Sequence, residues 1–284
     1  MLAQALMKAA SKESLEAVTI SKADGNNLND IKNIFELKKL INSFKPDILF
    51  NATGITDLNY CEKNPDHAWL LHARLPAMLA DWSRNTEIPW VHVSTDHYYT
   101  ASNNYYHTEL DAVAPMNEYA ASKLAGEYLA LTSPQALVLR TNIIGKRGWK
   151  NKPNFAEWVL NNLKKQNQFD GYIDTWASSM EVGQFASLAL TLTKHGLTGL
   201  MNLACSDSIS KAEWIEKIAQ YAQLESNNLN KIPTPEADED EVRRANAMGL
   251  DCSKSKAILK TLGMKLPDSN MVAEALVNSF KDEL

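Results

Sequence analysis

An open parallel α/β sheet, wound with helices on both faces, is the fold this chain predicts. Helical and strand-like patterns alternate through the first half, as a parallel sheet requires. The strand-like runs are short, apolar and end in small polar residues, as in Asp47-Ile-Leu-Phe-Asn51-Ala-Thr-Gly54 and Trp90-Val-His-Val-Ser-Thr95-Asp96. Open parallel sheets bind ligands at such strand ends. A length of 284 residues, 45% of them hydrophobic, suffices for one large domain or two closely packed ones.

In chain order, Met1 to Leu15 reads as an amphipathic helix and Glu16-Ala-Val-Thr-Ile20 as a short strand. Asp30 to Phe44 is helical and Asp47 to Asn51 a strand. Pro65 to Arg84 is a helix that Pro76 interrupts or kinks. Pro89 to Ser94 is a strand, Asn117 to Thr132 a long helix and Ala136 to Arg140 a strand. Beyond Arg140 the pattern loosens. Helices are expected over Phe155 to Gln166 and Val182 to Thr193, with a short strand at Leu200 to Leu203. Ser210 to Tyr221 opens on Ser-Lys-Ala-Glu213, a capping-box pattern. Pro233 to Glu241 is acidic and proline-flanked, hence an exposed loop; Ser253 to Leu262 and Val272 to Phe280 are the closing helices. A boundary falls near residue 145, with some later segments returning to the first part.

Composition excludes several function classes. The net charge is −5 with no long basic stretch, which argues against nucleic acid and against an anionic membrane surface as partners. Cys61, Cys205 and Cys252 are few, odd in number and far apart, as in a reducing cytoplasm. No apolar run approaches the ~18 residues of a membrane helix, and the first residues lack the basic start of a signal peptide. The terminal Lys281-Asp-Glu-Leu284 spells a retrieval address that acts only in the lumen, so it reads as the chance end of a charged helix. His67 and His72 are five apart, off one helical face, and no His-Glu-x-x-His, nucleophile elbow or Walker loop occurs; no metal site is expected.

Chemistry concentrates at Tyr119-Ala-Ala-Ser-Lys123. Four apart on a helix, the tyrosine and the lysine share one face. A free phenol has a pKa near 10, and bringing it to neutrality takes a fall of roughly 3, or about 4 kcal/mol. An ammonium one turn away favours the phenolate and supplies part of that. Alone, the pair is also what a half-exposed helix face looks like. Its place after two strands ending in polar residues suggests that Asn51–Gly54, Thr95, Tyr119 and Lys123 converge on one crevice.

The chain resembles the extended short-chain dehydrogenase/reductases, and among them the dTDP-4-dehydrorhamnose reductase group. The resemblance rests on Pro46-Asp-Ile-Leu-Phe-Asn-Ala-Thr, Cys61-Glu-Lys-Asn-Pro with Ala68-Trp69, Val93-Ser-Thr-Asp, Tyr106-His-Thr-Glu109, Pro115-Met-Asn-Glu-Tyr-Ala-Ala-Ser-Lys-Leu-Ala-Gly-Glu127 and Leu139-Arg-Thr-Asn. It implies a Rossmann-like domain over 1–145 that binds NADP or NAD, and a mainly substrate-binding α/β part over 146–284. It implies catalytic roles for Thr95, Tyr119 and Lys123. Thr95 holds the substrate carbonyl, Tyr119 gives the proton, and Lys123 lowers the tyrosine and holds the nicotinamide ribose. Asp30, Ile31, Asn51, Ala52 and Thr53 match cofactor-contacting positions, although Asp30 serves equally as a helix cap. Thr95, Asp96, Asn142 and Arg243 match the side facing the nucleotide-sugar substrate; Arg243 and Arg244 read equally as a solvated basic pair. Ser21-Lys22, near the end of the second strand, offers one positive charge and no acid, which leans toward NADPH. The group's location is cytoplasmic, and a homodimer is left open.

Some positions depart from the group's pattern: Leu58-Asn59-Tyr60, His97-Tyr98-Tyr99, Ile143 and Ser178-Ser179-Met180. In the group these face substrate, so the sugar stays open. The largest departure comes earlier. Dinucleotide folds open on a strand, a glycine-rich loop and a helix whose N-terminus receives the pyrophosphate. Here the first glycine is Gly25, and Met1 to Leu15 looks like the helix that should follow such a loop. Loss of that central strand is expected to leave two unpaired inner edges. Either about a dozen residues are missing or the chain has diverged from tight cofactor binding; the intact downstream chemistry favours the first. A non-catalytic binding protein on the same fold is the competing function.

Overall fold

The computed structural model describes residues 1–20, 34–148, 152–236, 238 and 241–283. The helices are α1 (Leu2–Lys12), α2 (Ile34–Phe44), α3 (Leu58–Lys63), α4 (Pro65–Trp69), α5 (Leu75–Thr86), α6 (Glu118–Ala130), α7 (Phe155–Lys165), α8 (Val182–Lys194), α9 (Lys211–Ala222), α10 (Ser253–Thr261) and α11 (Ser269–Asn278). The strands are β1 (Leu49–Asn51), β2 (Trp90–Val93), β3 (Tyr106–His107), β4 (Ala136–Arg140), β5 (Asn142–Ile144), β6 (Phe169–Tyr172), β7 (Trp176–Ala177), β8 (Ser179–Glu181), β9 (Gly199–Asn202), β10 (Ile209–Ser210), β11 (Leu229–Ile232) and β12 (Ala247–Leu250).

The main sheet runs β1-β2-β4-β9, parallel throughout. Its strands are buried on both faces, as helix-covered parallel sheets are. Trp90 and Val138 face one layer, packing with Leu37 and Ile41 of α2 and Leu75, Leu79 and Trp82 of α5. Val91, Leu137 and Leu139 face the other, against Phe185, Leu188 and Leu192 of α8. Helix α1 lies outside α8, burying Ala5 and Ala9 against Val182, Ala186 and Leu190. Strand β9, well beyond residue 145, pairs with β4 in this same sheet.

The remaining strands form a mixed sheet β10-β7-β12-β3 and two pairs, β11-β6 and β5-β8. Around them α7, α9 and α11 enclose a second core of Val159, Leu163, Trp214, Ile215, Ile218, Val272 and Leu276. The capping box at Ser210/Glu213 forms as the sequence indicates, and a second one occurs at Asn154/Glu157.

Glu16–Ile20 forms no strand. Residues 2–12 are helical, as expected. The two unpaired inner edges expected for the main sheet are not found among the described residues. Strands β1, β2, β4 and β9 stay contiguous, and among the described residues only the outer edge of β1 on that side lacks a neighbour.

The expected kink at Pro76 is a change of helix type. Proline has no N–H to give to the carbonyl four residues earlier, here that of His72. The turn just before it widens into a π-helical segment, Leu70–Arg74, between α4 and α5. Helix α6 packs onto this segment at Gly126, where a Cβ would lie 1.7 Å from the His72 carbonyl oxygen. Only glycine permits that approach.

Candidate active site

The carboxyl ends of β1, β2 and β4 open on one cleft of about 1240 Å³. Ala52 and Thr53 follow β1, Ser94, Thr95 and Asp96 follow β2, and Thr141 and Asn142 follow β4; all line it except Asn51 itself. Helix α6 adds Tyr119 and Lys123 from its first two turns. Its start is fixed by Asn117, whose side chain accepts from Ala120 N at 2.8 Å. Its middle is latched to the sheet. The buried Glu127 carboxylate accepts from Arg140 Nη2 at 2.6 Å and Nε at 3.0 Å on β4, and from Ser94 Oγ at 2.8 Å after β2. Charge-assisted bidentate bonds of this kind fix orientation as well as distance.

Within the cleft, Lys123 Nζ donates to Val93 O at 2.6 Å. The Thr95 hydroxyl lies next to the Tyr119 phenol, donates to Asp96 Oδ1 at 3.4 Å and accepts from His97 N at 3.2 Å. Two imidazoles close edge-on around the tyrosine ring, His72 at 5.6 Å and His97 at 5.8 Å between centroids. Asn142 Nδ2 donates to Asp96 Oδ2 at 2.7 Å and its Oδ1 accepts from Ser179 Oγ at 2.8 Å, so both carboxamide ends are held.

The ionisation of the site is set mainly by burial. Burial pushes the Tyr119 phenol up to about 12; the Thr95 hydrogen bond opposes this, while Asp96 and Cys61 add to it. The expected lowering of Tyr119 by Lys123 is therefore not what the fold produces. Lys123 itself is brought down to about 8 by burial, against the pull of Glu127. Asp96 is raised to about 7 by burial, with the Asn142 bond and Lys211 acting the other way. Burial takes His97 down to about 4, helped by Arg244 and Lys211. Burial also takes His72 to about 3.

The chain matches the family model described as RmlD substrate binding domain over residues 1–279. It belongs to that family. A probable low-salt glycan biosynthesis reductase of Haloferax volcanii, Agl14, is 26% identical over 88% of this chain and 84% of that protein. The dTDP-4-dehydrorhamnose reductase of Escherichia coli strain K12 is 25% identical over 88% of this chain and 85% of that protein. Among solved structures, a Bacillus anthracis dTDP-4-dehydrorhamnose reductase in complex with NADP has a TM-score of 0.83 at 22% identity, covering 97% of this chain and 93% of that chain. At that identity the likeness is one of fold: a Rossmann-like α/β architecture.

Against the RmlD-family pattern, the structure gathers Ala52, Thr53, Thr95, Asp96, Tyr119, Lys123 and Asn142 around one cleft. Asn51 stands behind the wall: its Nδ2 donates to His92 Nδ1 at 3.1 Å and its Oδ1 accepts from Thr53 N at 3.2 Å. Arg243 is exposed, and its carbonyl accepts from Asn117 Nδ2 at 2.8 Å; the neighbouring Arg244 is the one at the cleft. Asp30, Ile31, Ser21 and Lys22 lie outside the described residues.

Two of the departures expected to face substrate lie away from the cleft, one of them only in part. Tyr98 and Tyr99 are core residues: Ser94 Oγ and Tyr98 OH are 3.0 Å apart, and Arg140 Nη1 donates to Tyr99 OH at 2.8 Å. Ser178, Ser179 and Met180 are buried as well. A buried guanidinium consumes polar aromatic partners, and motif comparison cannot see that. His97, Leu58, Tyr60 and Ile143 do line the cleft.

Sequence reading missed Lys211, whose ammonium lies 4.6 Å from the Phe155 ring centre, and the aromatic wall of Phe155, Trp158, Phe169 and Tyr172. It also missed the pairing of Lys152 with Asp57 across the cleft mouth. These residues come from elements far apart in the chain, and none carries a local motif. In the sequence His72 stands out only for a spacing to His67 that does not suit a metal; nothing near it in the chain signals its contacts.

Proposed function

We propose that this protein reduces the keto group of a 4-keto nucleotide sugar at the expense of NADPH or NADH. The observation that carries the reading is the joint placement of Thr95, after β2, and Tyr119 and Lys123, on α6, in one cleft of about 1240 Å³. The name of the family and of its reductase members supports the same reaction class.

The residues present fit the nicotinamide half of the cofactor. Lys123 gives one hydrogen bond among the described residues, to Val93 O, out of the three its ammonium can make. The others serve the ribose hydroxyls. Ala52 and Thr53 form the adjoining wall, and the N-terminal end of α1, at Leu2, opens on the same cleft. A helix start is where a pyrophosphate is held in such folds. When bound, the cofactor supplies the hydride.

The chain supplies the rest. Thr95 holds the substrate carbonyl and then the alkoxide through its hydroxyl. Tyr119, protonated across the neutral range because burial has raised it, gives its proton to that oxygen. The phenolate left behind is costly in a buried site unless compensated, and the Lys123 ammonium on the next turn compensates it. Positioned proton transfer of this kind is worth about 10²–10⁴ in rate. Asp96 and Asn142, held by each other, take sugar hydroxyls. Arg244, rather than Arg243, supplies a guanidinium on the diphosphate side. Residues 1–145 serve mainly the cofactor and 146–284 mainly the substrate. NADPH is preferred over NADH, on the charge of Lys22.

The test is titration with NADPH and NADH, followed by turnover on 4-keto sugar nucleotides with Tyr119→Phe as control. Micromolar cofactor binding, turnover by the wild type and a loss of about 10²–10⁴ in Tyr119→Phe are expected. Absence of binding at millimolar cofactor refutes the reading for this polypeptide. A second reading, a binding protein on the same fold, is favoured by the positions at the cleft that depart from the group's pattern, His97 and Ile143 among them. Ligand binding with no turnover, and no effect of Tyr119→Phe, would establish it.

A further inference from the structure

His72 does something that the catalytic reading leaves unused. It sits on the π-helical turn Leu70–Arg74, is fully buried, and touches three separate parts of the site. Its Nε2 accepts from Ile55 N at 2.8 Å, in the loop that follows β1. Its Nδ1 is 2.9 Å from Ser122 Oγ on α6. Because Nε2 accepts, Nδ1 carries the proton and donates; the Ser122 hydroxyl in turn donates to Glu118 O at 2.7 Å. The ring edge lies on Tyr119. One imidazole with a single tautomer thus spans the loop Ala52–Thr56 and the helix that bears Tyr119 and Lys123.

The local backbone makes this reach possible. A π turn carries one extra residue per turn, and such turns recur at functional sites. Here it turns His72 inward, and Gly126 lets α6 settle directly on the same residue's carbonyl. Gly54, the residue before Ile55, has ordinary van der Waals space toward the ring, 3.5 Å from Nε2 to a built Cβ. The ring is therefore seated without crowding on the loop side and locked on the helix side. With its pKa pushed down to about 3 by burial, it stays neutral, and Nε2 keeps its lone pair at any working pH.

We propose that His72 is a positioning residue that ties the loop lining the cofactor side of the cleft to the helix of the proton donor, so that cofactor seating and Tyr119 placement vary together. This rests on the reductase reading for the role of the loop. The tie itself is tested independently of it.

The first measurement is amide hydrogen exchange at Ile55 in the full chain. His72→Leu is expected to speed Ile55 exchange about tenfold or more, since the half-buried Ile55 N–H loses its acceptor. His72→Gln, whose amide oxygen can take the place of Nε2, is expected to stay within about threefold of wild type. Unchanged Ile55 exchange in His72→Leu overturns the tie. The second measurement is NADPH affinity and turnover. His72→Leu should raise the NADPH Kd and lower kcat together, each about tenfold; His72→Gln should restore the Kd. Ser122→Ala, which keeps the ring and removes only its anchor on α6, should shift both in the same direction.

A variant that loses thermal stability but keeps Kd and kcat marks a purely structural role and overturns the proposal. If His72→Leu does not fold, the Gln and Ser122→Ala variants decide: no change of Kd or kcat in Ser122→Ala overturns it. Wild-type protein that binds no NADPH refutes the reductase reading, and the positioning role with it. That result is distinct from failure of this inference alone, in which wild type binds and every variant matches it.

Discussion

Gly126→Ala is the sharpest perturbation this fold offers. A Cβ at residue 126 would stand 1.7 Å from the His72 carbonyl oxygen and 2.9 Å from its carbon. A comfortable carbon–oxygen approach is about 3.3 Å, so α6 and the π turn must separate by roughly 1.6 Å. Neither side is a flexible side chain. The turn is bounded by Pro76, and α6 is held on its other flank by Glu127, Arg140 and Ser94. Overpacking of this kind costs about 1–3 kcal/mol. The displacement also carries Tyr119 and Lys123 with it, and misplacement of about 1 Å in a reacting group costs on the order of 100-fold in rate. Urea unfolding and single-turnover reduction measure the two effects separately. Gly54→Ala is the control: its Cβ would meet only the His72 ring, at 3.5 Å, so stability should change by no more than about 0.5 kcal/mol. Gly126→Ala with unchanged midpoint and unchanged single-turnover rate would refute the account of how α6 is seated.

Three further outcomes are expected. Glu127→Gln leaves the Arg140 guanidinium buried without its counterion and should cost about 3–5 kcal/mol; the pair Glu127→Leu with Arg140→Met should cost less than either single change, measured by denaturant midpoints in a double-mutant cycle. Turnover should fall as pH rises through Lys123's pKa of about 8, with no loss from Tyr119 below about 11, because its pKa is about 12; a flat profile from pH 7 to 9.5 would contradict this. Stability should drop on mild acidification. His72, His92 and His97 have folded pKa values depressed below 6.5, so the unfolded chain takes up protons that the fold refuses, and stability present above pH 6.5 is lost below it. Asp96, raised to about 7, works in the opposite sense between pH 7 and 4 as one group against three. The net loss from pH 7.5 to 5.5 is on the order of 2 kcal/mol, and a melting temperature that holds or rises over that range would refute it.

Much of the architecture was readable because it is written locally. The alternation of periods placed β1, β2, β4 and β9 within two residues of where they lie, and α6, α8 and α9 almost to the residue. Capping residues mark helix starts through bonds that span only three residues, and so Ser210/Glu213 could be found by inspection. Tyr119 and Lys123 were legible for the same reason: helical geometry alone puts residues four apart on one face. Glu16–Ile20 was misread because β propensity describes a surface that fits a neighbour, and among the described residues no strand pairs with it.

What the sequence by itself determined, then, is the order of the main-sheet strands and of the long helices, the family, and the gathering of Thr95, Tyr119 and Lys123 at one cleft. Only the tertiary structure decided how that set is held and charged. The choice of Arg244 over Arg243 for the cleft, the withdrawal of Tyr98 and Tyr99 into the Arg140 network, the seat of Gly126 on His72 and the rise of the Tyr119 phenol to about 12 all depend on burial and on partners more than 20 residues away. Burial and desolvation belong to the assembled fold, and no short stretch of chain carries them.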